Sequence, residues 1–218
     1  MTELEALKER HSVRSYQDKK IEAEKVAALR LAIDECNKEG NLHLQLCEDA
    51  GSTFNRLLNK FMGLGSAPSV IACIGPDDET LDERIGYYGQ KIVLCAQMLG
   101  LNTCWAGTYN PKNVPAEKKD GERLVIVIAI GYGVDGGRVR KSKSANQVVE
   151  GGIDGKPDWF KRGVEAALLA PTAVNQQKFA IALDGDKVVI TDKGGILSKV
   201  DKGIVTCNFE VGSGHKVL

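Results

Sequence analysis

The sequence predicts an α+β fold. Helical and strand-like patterns are mixed along the 218 residues without the regular strand–helix–strand order of a doubly wound parallel sheet. The length is sufficient for a real hydrophobic core in one ordinary domain or two small ones. In addition, the order of helix, strand and helix in residues 22–100 recurs in shortened form after residue 156, which indicates two related halves within one chain.

The N-terminal elements follow from capping and periodicity. Thr2 and Glu5 form a capping-box pattern that opens a short helix, and residues 10–14 follow it as a loop or extended segment. A second helix is expected over residues 22–38, and a half-buried strand over residues 42–46, where apolar and polar residues alternate. The apolar face of the second helix consists of Val26, Leu29, Leu31 and Ile33.

The middle of the chain predicts further helices and strands. Residues 54–61 are expected to be helical, and residues 69–75 are expected to form a strand. The strongest helical pattern spans residues 83–99, and its apolar density indicates burial on most sides. A short strand or turn follows at residues 103–107, and the unbroken β-branched run at residues 124–130 predicts a buried strand.

The C-terminal part follows a candidate linker. Residues 138–143 are basic, and the chain from there to residue 156 is rich in Gly, Ser, Asn and Asp, as linkers are. Beyond it the patterns predict a helix, a loop, two strands and a helix, in that order, over residues 159–169, 170–177, 179–183, 187–190 and 197–210.

Charge and composition narrow the function classes. The chain has 29 basic and 29 acidic residues, so no overall field favours nucleic acid or a membrane surface, and an anion site must be local. The N-terminus is charged and shows no signal peptide, and no apolar run reaches the roughly 20 residues that cross a bilayer, so a soluble cytoplasmic protein is expected. With three histidines and scattered cysteines, buried reduced thiols are expected rather than a metal site. The cysteines are Cys36, Cys47, Cys73, Cys95, Cys104 and Cys207.

The stretch LVIVIAIGYGVDGG, residues 124–137, contains Gly131, Gly133 and Gly136 in the G-x-G-x-x-G spacing of a dinucleotide-binding loop. Such a loop binds phosphate because its glycines open a helix whose N-terminus faces the ligand. Here GRVRKSK follows without an apolar repeat, and no second strand ending in an acidic residue comes about 20 residues later. We therefore interpret the segment as a strand that ends in glycines and not as a nucleotide loop.

The segment RHSVRSY, residues 10–16, is the first candidate for ligand binding. If it is extended, the side chains of Arg10, Ser12 and Arg14 project to one side with period two. Guanidinium groups bind phosphate oxygens through paired hydrogen bonds, and a fixed cation beside the N1/O2 edge of a flavin stabilises the negative charge of the reduced ring. A solvated basic loop after a helix is the alternative interpretation.

The loop LLAPTAVNQQ, residues 168–177, is the second candidate. Pro171 stops an apolar helix, Thr172 and Asn175 offer side-chain donors, and the small Ala173 permits close approach of a ligand. An ordinary helix terminator followed by a turn is the alternative. The basic run at residues 138–143 is by itself typical of solvated surface, and it gains weight only where other phosphate-type donors converge on it.

In combination, these segments resemble the FMN-dependent nitroreductase superfamily, and more closely its tandem-half putative TM nitroreductase subfamily. The resemblance spans residues 4–211 and rests on RHSVRSY, GYYGQKIVLCAQMLGLNTCWAG, the basic RKSK after a strand, and LLAPTAVNQQKF. It implies an α+β fold with a mixed, mostly antiparallel sheet flanked by helices. It also implies FMN as cofactor, bound where two half-sites meet.

The resemblance assigns candidate cofactor-binding residues. Those implied to hold the phosphate, the ribityl chain and the pyrimidine edge are Arg10, His11, Ser12 and Arg14. Those implied to lie along the isoalloxazine, with a backbone N–H near N5, are Trp105, Ala106 and Gly107. Additional phosphate charge is implied for Arg140, Lys141 and Lys143. The residues implied to close the site are Pro171, Thr172, Asn175 and Gln177. No catalytic side chain is nominated, because hydride transfer is the chemistry of the cofactor.

The order of the motifs departs from the usual family pattern. An APSxxNxQ-type segment usually follows the second helix, but AIDECNKEGNLHLQL stands there, and APTAVNQQ comes only after the linker. The resemblance thus implies two unequal halves, residues 1–150 with the RxSxR-type motif and residues 151–218 with APTAVNQQ, which form one compact flavin-binding unit. We expect a pseudo-dimer within one chain that binds one FMN, and further homodimerisation is left open.

Two substitutions modify the implied site. Thr172 replaces the usual serine and keeps the hydroxyl, whereas Lys178 lies near the usual place of a proline and an aromatic residue, so the wall of the substrate pocket is expected to differ. The donor to the N3/O4 edge of the flavin is expected within residues 59–66, without an assigned residue.

The predicted function is that of an FMN-dependent oxidoreductase. NADH or NADPH would be the electron donor, and nitroaromatics, quinones or similar electron-poor small molecules would be reduced by ping-pong hydride transfer. A non-catalytic flavin-binding or sensor protein and a degenerate member without FMN are the alternatives. Nucleic-acid binding through RVRKSK is not expected, because the run is short, lacks interleaved aromatic residues and belongs to a chain of zero net charge.

Overall fold

The computed structural model describes residues 1–54 and 67–218. Its helices are α1 (Glu3–Glu9), α2 (Ala23–Gly40), α3 (Leu81–Met98), α4 (Asp158–Ala167) and α5 (Ser198–Ser213). Its strands are β1 (Gln45–Cys47), β2 (Ser69–Pro76), β3 (Asn102–Ala106), β4 (Glu122–Gly131), β5 (Phe179–Asp184) and β6 (Lys187–Asp192). The predicted α+β class is confirmed. The helix predicted for residues 54–61, apart from its first residue, and the flavin donor expected in residues 59–66 lie outside the described residues.

The first two helices begin and end on local sequence signals. The predicted capping box is present: the N–H of Glu5 donates to Oγ1 of Thr2 (3.2 Å), and the N–H of Thr2 donates to Oε2 of Glu5 (2.7 Å). Helix α2 ends at Asn41, which adopts a left-handed φ of 47°. The apolar face predicted for α2 is narrower than expected, because Leu31 is 64% exposed.

The strand predicted for residues 42–46 begins later in the structure, at Gln45. The reason is that the side-chain amide of Asn37 forms hydrogen bonds with both the N–H and the carbonyl group of Leu44. Nδ2 of Asn37 donates to the carbonyl oxygen of Leu44 (3.0 Å), and the N–H of Leu44 donates to Oδ1 of Asn37 (2.7 Å). A side-chain amide therefore replaces strand pairing at this position, as asparagine often does outside regular structure.

A four-stranded antiparallel sheet lies in the compact unit formed by residues 10–81 and 92–139. The strand order is β1-β2-β4-β3, so β4 is internal and β3 is at an edge. Strand β2 is buried along almost its whole length and β4 from Ile126 to Gly131, which accounts for their apolar character. One sheet face carries mainly small side chains, among them Ala72, Cys104, Ala106, Val127 and Ala129.

The second compact unit consists of residues 1–9, 82–91 and 140–218. Its β5–β6 hairpin is extended by isolated bridges, Val149 with Ile181 and Val188 with Val217. Helices α4 and α5 pack so closely that a Cβ on Gly163 would lie only 2.5 Å from the ring of Phe209. This close packing is the reason for a glycine within an otherwise apolar helical face.

The order of elements supports the repeat suggested by the sequence. The series α2-β1-β2-α3 recurs as α4-β5-β6-α5, and the two strands of each series pair antiparallel. The tandem-half organisation, with its division at residue 150, stays a prediction. The six cysteines are thiols and not disulfides, and all except the half-buried Cys95 are buried, as predicted. In residues 1–54 and 67–218, no helix combines the length and the apolar character needed to span a membrane.

Candidate functional site

The segment that carries Arg10, Ser12 and Arg14 is extended and lies along the outer edge of β3. Ser12 forms a parallel bridge with Thr103, and the N–H of Val13 donates to the carbonyl oxygen of Thr103 (3.1 Å). The edge position of β3 in the sheet leaves its backbone groups available for this pairing. Of the two alternatives for residues 10–14, a loop or an extended segment, the pairing with Thr103 agrees with the extended one.

The charged side chains of this segment face one thiol. Burial raises the pKa of Cys104, while the positive charges of Arg14 and Arg10 and a hydrogen bond with Ser12 oppose the rise. Nη2 of Arg10 lies 3.4 Å from Oγ of Ser12. Arg10 is only 6% exposed, whereas Arg14 is exposed. Two guanidinium groups and one hydroxyl are thus near enough to Cys104 of β3 to act on its pKa, which agrees with the period-two spacing.

Tyr16, two residues after Arg14, packs against the sheet. Its hydroxyl donates to the carbonyl oxygen of Ala129 (3.3 Å), and its ring packs against the small side chains of the sheet face. Burial raises the pKa of Tyr16 well above its usual value, and the proximity of Cys104 adds to the rise. The phenol is therefore neutral at physiological pH and acts as a hydrogen-bond donor.

The glycines at the end of β4 accommodate the basic segment. A Cβ on Gly137, whose φ is 79°, would lie 2.8 Å from Cβ of His11. A Cβ on Gly133 would lie 2.9 Å from Cγ1 of Val13 and 2.8 Å from Oδ1 of Asn102. The described chain contains no helix between residues 136 and 144, in agreement with the interpretation that these glycines do not form a dinucleotide loop.

The residues predicted to lie along a flavin ring are at the end of β3. Trp105 is half-buried and pairs with Ile128 of β4. Ala106 is buried within the small-residue face, and Gly107 is the first exposed residue after the strand. These three belong to the same compact unit as Arg10 and Arg14.

The remaining predicted site residues lie in the second unit, where Arg140 joins two segments. Its Nη1 donates to the carbonyl oxygen of Ala170 (2.6 Å) and lies 3.3 Å from Oδ1 of Asn175. Its Nη2 donates to the carbonyl oxygen of Leu168 (2.8 Å). Arg140 therefore satisfies carbonyl groups after the end of α4, and burial lowers its pKa.

Gln177 binds the backbone of the basic run. It is 5% exposed; its Oε1 accepts from the N–H of Lys143 (2.9 Å), and its Nε2 donates to the carbonyl oxygen of Lys141 (3.1 Å). Nζ of Lys143 donates to the carbonyl oxygen of Gln177 (2.7 Å), and Nδ2 of Asn175 donates to the same carbonyl group of Lys141 (2.9 Å). The structure thus brings the basic run and the second candidate loop together, with the exposed Lys141 side chain at the surface.

The loop of residues 172–177 has an unusual backbone. Val174, Asn175 and Gln177 have left-handed φ values of 44°, 54° and 45°. Such values are strained for a β-branched residue such as Val174, and strain of this kind concentrates at functional loops. The turn is closed by Thr172, whose Oγ1 accepts the N–H of Gln177 (3.1 Å), while Pro171 is buried.

Asp201 is a residue that the sequence reasoning missed. It lies in the first turn of α5 and is 6% exposed, and its Oδ1 accepts the N–H of Ala173 (2.9 Å). The available signal was a carboxylate between Val200 and the apolar pair Ile204 and Val205, because an acidic residue on a buried helical face requires hydrogen-bond partners.

The predicted site residues therefore form two clusters, one in each unit. The first contains Arg10, Ser12 and Arg14, with His11 beside them, and the second contains Arg140, Lys143, Thr172, Asn175 and Gln177. The first cluster offers cations and a hydroxyl to an anionic group. In the second, the hydrogen-bonding groups named above are largely used to hold the loop. Among residues 1–54 and 67–218, no group of three or more His, Cys, Asp or Glu side chains is arranged to hold a metal ion.

Known structures share this fold. A "putative nitroreductase" of Thermotoga maritima superposes with a TM-score of 0.69 at 22% identity, over 97% of this chain and 83% of the other. An NADH dehydrogenase/NAD(P)H nitroreductase of Parabacteroides distasonis superposes with a TM-score of 0.53 at 19% identity, over 69% and 98%. A nitroreductase family protein of Streptococcus pneumoniae gives 0.53 at 16% identity, over 68% and 99%. These similarities concern the fold.

Comparison of the sequence itself identifies the family of the protein. Among curated proteins, none is similar enough to this chain to count as a match. The family described as "Putative TM nitroreductase" matches residues 3–213. Because this match covers almost the whole chain, the protein belongs to the putative TM nitroreductase family and is, by that membership, an oxidoreductase.

Proposed function

We propose that this protein is an FMN-dependent NAD(P)H oxidoreductase that reduces electron-poor acceptors such as nitroaromatics and quinones. The observation that carries the proposal is the grouping of Arg10, Ser12 and Arg14 around Cys104 of β3. A buried guanidinium, an exposed guanidinium and a hydroxyl on one face fit an anionic ligand, since they offer charge-assisted hydrogen bonds to its oxygens. We propose that the ligand groups in question are the phosphate of FMN and the pyrimidine edge of its ring, which becomes negatively charged on reduction.

FMN, when bound, supplies the hydride chemistry. The residues of the chain bind and orient it. We propose that Arg10 and Ser12 hold its polar groups and that Arg14 stabilises the negative charge that reduction places at the N1/O2 edge. The backbone at residues 105–107 is proposed to lie along the ring, with an N–H near N5. Gly107 is exposed and has no side chain that would obstruct such an approach.

The cluster of the second unit is also proposed to contact the flavin. This proposal follows from the sequence resemblance and assigns contacts to Arg140, Lys141, Lys143, Pro171, Thr172, Asn175 and Gln177. The hydrogen bonds of Gln177 and Asn175 keep the backbone of Lys141 in one conformation, which is the pre-organisation that a binding loop needs.

The donor is proposed to be NADH or NADPH. The P. distasonis relative, with its name NADH dehydrogenase/NAD(P)H nitroreductase, agrees with a nicotinamide donor. Donor and acceptor would use the site in turn, so ping-pong kinetics are expected. We further propose that one chain acts as a pseudo-dimer with one FMN, in the cytoplasm, with neither nucleic acid nor membrane as partner. A native mass of one chain with one flavin would agree with this arrangement.

The decisive experiment is spectroscopic. The purified protein, supplemented with FMN, is expected to show bound-flavin absorbance that NADH or NADPH bleaches under anaerobic conditions and that a quinone or nitroaromatic then restores. Bound flavin that neither nucleotide bleaches would instead identify a non-catalytic flavin-binding protein. A colourless protein that takes up no FMN would identify a degenerate member and contradict the proposal.

A further inference from the structure

Asp201 attaches helix α5 to the strained loop of residues 172–177. Its Oδ1 and Oδ2 lie 2.9 and 3.2 Å from the backbone nitrogen of Ala173, and its Oδ2 accepts from Nε2 of Gln176 (2.7 Å). Nε2 of Gln176 also donates to the carbonyl oxygen of Ile196, so the loop is tied to the start of α5 at two points. Uncharged N–H groups therefore surround this buried carboxylate.

Charged side chains on the neighbouring elements have other partners or lie at the surface. Nζ of Lys202 pairs with Glu83 of α3 (2.8 Å), and Nζ of Lys193 pairs with Glu150 (3.3 Å). The charged groups on the elements around Asp201 are Lys199 and Lys202 on α5, Glu83 on α3, and Lys178 and Lys193 at the two ends of the hairpin. Burial raises the pKa of Asp201 to about 6, although the hydrogen bonds from Gln176 and Ala173 oppose the rise.

Hydrogen bonds of Gln177 and Asn175 with the backbone of Lys141 and Lys143 hold the other side of the loop, but the backbone between its two sides is strained. Val174 is 80% exposed and left-handed, and Asn175 is exposed and left-handed as well. Opening would relieve this backbone strain and would expose the carboxylate of Asp201 to water. Burial of a charge and strain in the backbone therefore act in the same direction.

We infer that the protonation state of Asp201 controls how readily loop 172–177 opens, and that the ionised carboxylate favours the open loop. The sign follows from linkage. The closed loop holds the proton of Asp201 more tightly than the hydrated, open loop does, so proton binding favours closure. As the pH rises through the titration of the buried group, this preference for closure is lost. The inference concerns the chain itself and does not depend on bound flavin.

Amide hydrogen exchange tests this inference on the full-length protein. The protection factor of the Ala173 amide, corrected for the intrinsic exchange rate at each pH, is expected to fall roughly tenfold between pH 5 and pH 8. In Asp201→Asn the side chain keeps its shape but does not titrate, so the protection factor is expected to be independent of pH. The matched control is Asp186→Asn, in the exposed turn between β5 and β6, which should retain the pH dependence of the wild type.

Three results would overturn the inference. The first is a wild-type protection factor that is equal at pH 5 and pH 8. The second is a pH dependence that persists in D201N. The third is its disappearance in D186N, since removal of any nearby carboxylate would then be enough. Circular dichroism of each variant at both pH values verifies that the exchange is measured on the folded protein.

Discussion

Gly86 and Gly203 meet reciprocally where α3 crosses α5. A Cβ on Gly86 would lie 2.1 Å from the carbonyl oxygen of Val200, and a Cβ on Gly203 would lie 2.1 Å from the carbonyl oxygen of Glu83. Val200 precedes Gly203 by the same three positions by which Glu83 precedes Gly86. Such reciprocity is expected of two equivalent helices, and it supports the proposed tandem repeat.

The first prediction concerns this crossing. Gly86→Ala should destabilise the protein by about 1–3 kcal/mol, because the added methyl group meets rigid backbone and forces the helices apart. Helix propensity alone would predict the opposite, a gain of about 1 kcal/mol. Chemical denaturation followed by circular dichroism measures the difference. Unchanged or increased stability of G86A would contradict the close crossing.

The second prediction concerns the different packing of Gly133 and Gly136, two glycines of the G-x-G-x-x-G spacing. Gly133→Ala should cost about 1–3 kcal/mol, because its Cβ would lie 2.5 Å from the carbonyl oxygen of Asp135 and 2.9 Å from Val13. Gly136→Ala is the matched control, with no neighbouring atom within 4 Å of the new Cβ, and should change stability by less than about 0.5 kcal/mol. Thermal or urea denaturation measures both. Equal effects in the two variants would refute the packing role of Gly133.

The third prediction tests the basic segment. Arg14→Ala should weaken FMN binding about 10- to 100-fold, because a charge-assisted hydrogen bond is worth about 1.5–3 kcal/mol. The fold should tolerate this change, since Arg14 is exposed. Fluorescence titration of the flavin-free protein with FMN gives the dissociation constants.

The control for R14A is Arg30→Ala in the same unit. Arg30 is an exposed arginine of α2 that pairs with Glu48 (3.0 Å), so this variant removes the same charge. Its affinity for FMN should equal that of the wild type. Equal weakening in R14A and R30A would indicate a general electrostatic effect and would count against a specific contact.

The fourth prediction distinguishes two neighbouring cations of the basic run. Arg140→Met should lower the free energy of unfolding by about 1–3 kcal/mol, because the carbonyl groups of Leu168 and Ala170 lose a charged donor. Lys141→Met removes the same charge from an exposed side chain and should leave stability unchanged. Denaturant titration of both variants provides the comparison. If R140M is as stable as K141M, the guanidinium has no structural role at the end of α4.

Local signals predicted much of the fold, and tertiary contacts altered it at particular residues. The capping box of Thr2 and Glu5 and the apolar run of β4 depend on neighbours in the sequence, so their patterns were sufficient. The start of β1 was misplaced because the side chain of Asn37 binds the backbone of Leu44, a contact that periodicity does not encode. Leu31 was misassigned to the buried face for a similar reason, since burial depends on what packs against a helix.

In the candidate site, too, some features follow from local sequence and others depend on tertiary contacts. The period-two spacing of Arg10, Ser12 and Arg14 predicted that they share one side of an extended segment, and all three act on the pKa of Cys104, which agrees with that prediction. The sequence could not indicate that Arg140 would be used for the carbonyl groups after α4. Nor could it identify Asp201, whose partner Ala173 is 28 positions away.

The amino-acid sequence by itself determined the α+β class, most of the described helices and strands, the family and the residue types available for a flavin. These depend on local periodicity, capping and short motifs, which are read along the chain. Only the tertiary structure decided which glycines are needed for close packing, which cations bind backbone carbonyl groups, and which buried carboxyl group contacts the 172–177 loop. The physical reason is that burial and hydrogen-bond partnership are set by residues distant in sequence, so the same side chain can serve a ligand or the fold according to what lies opposite it.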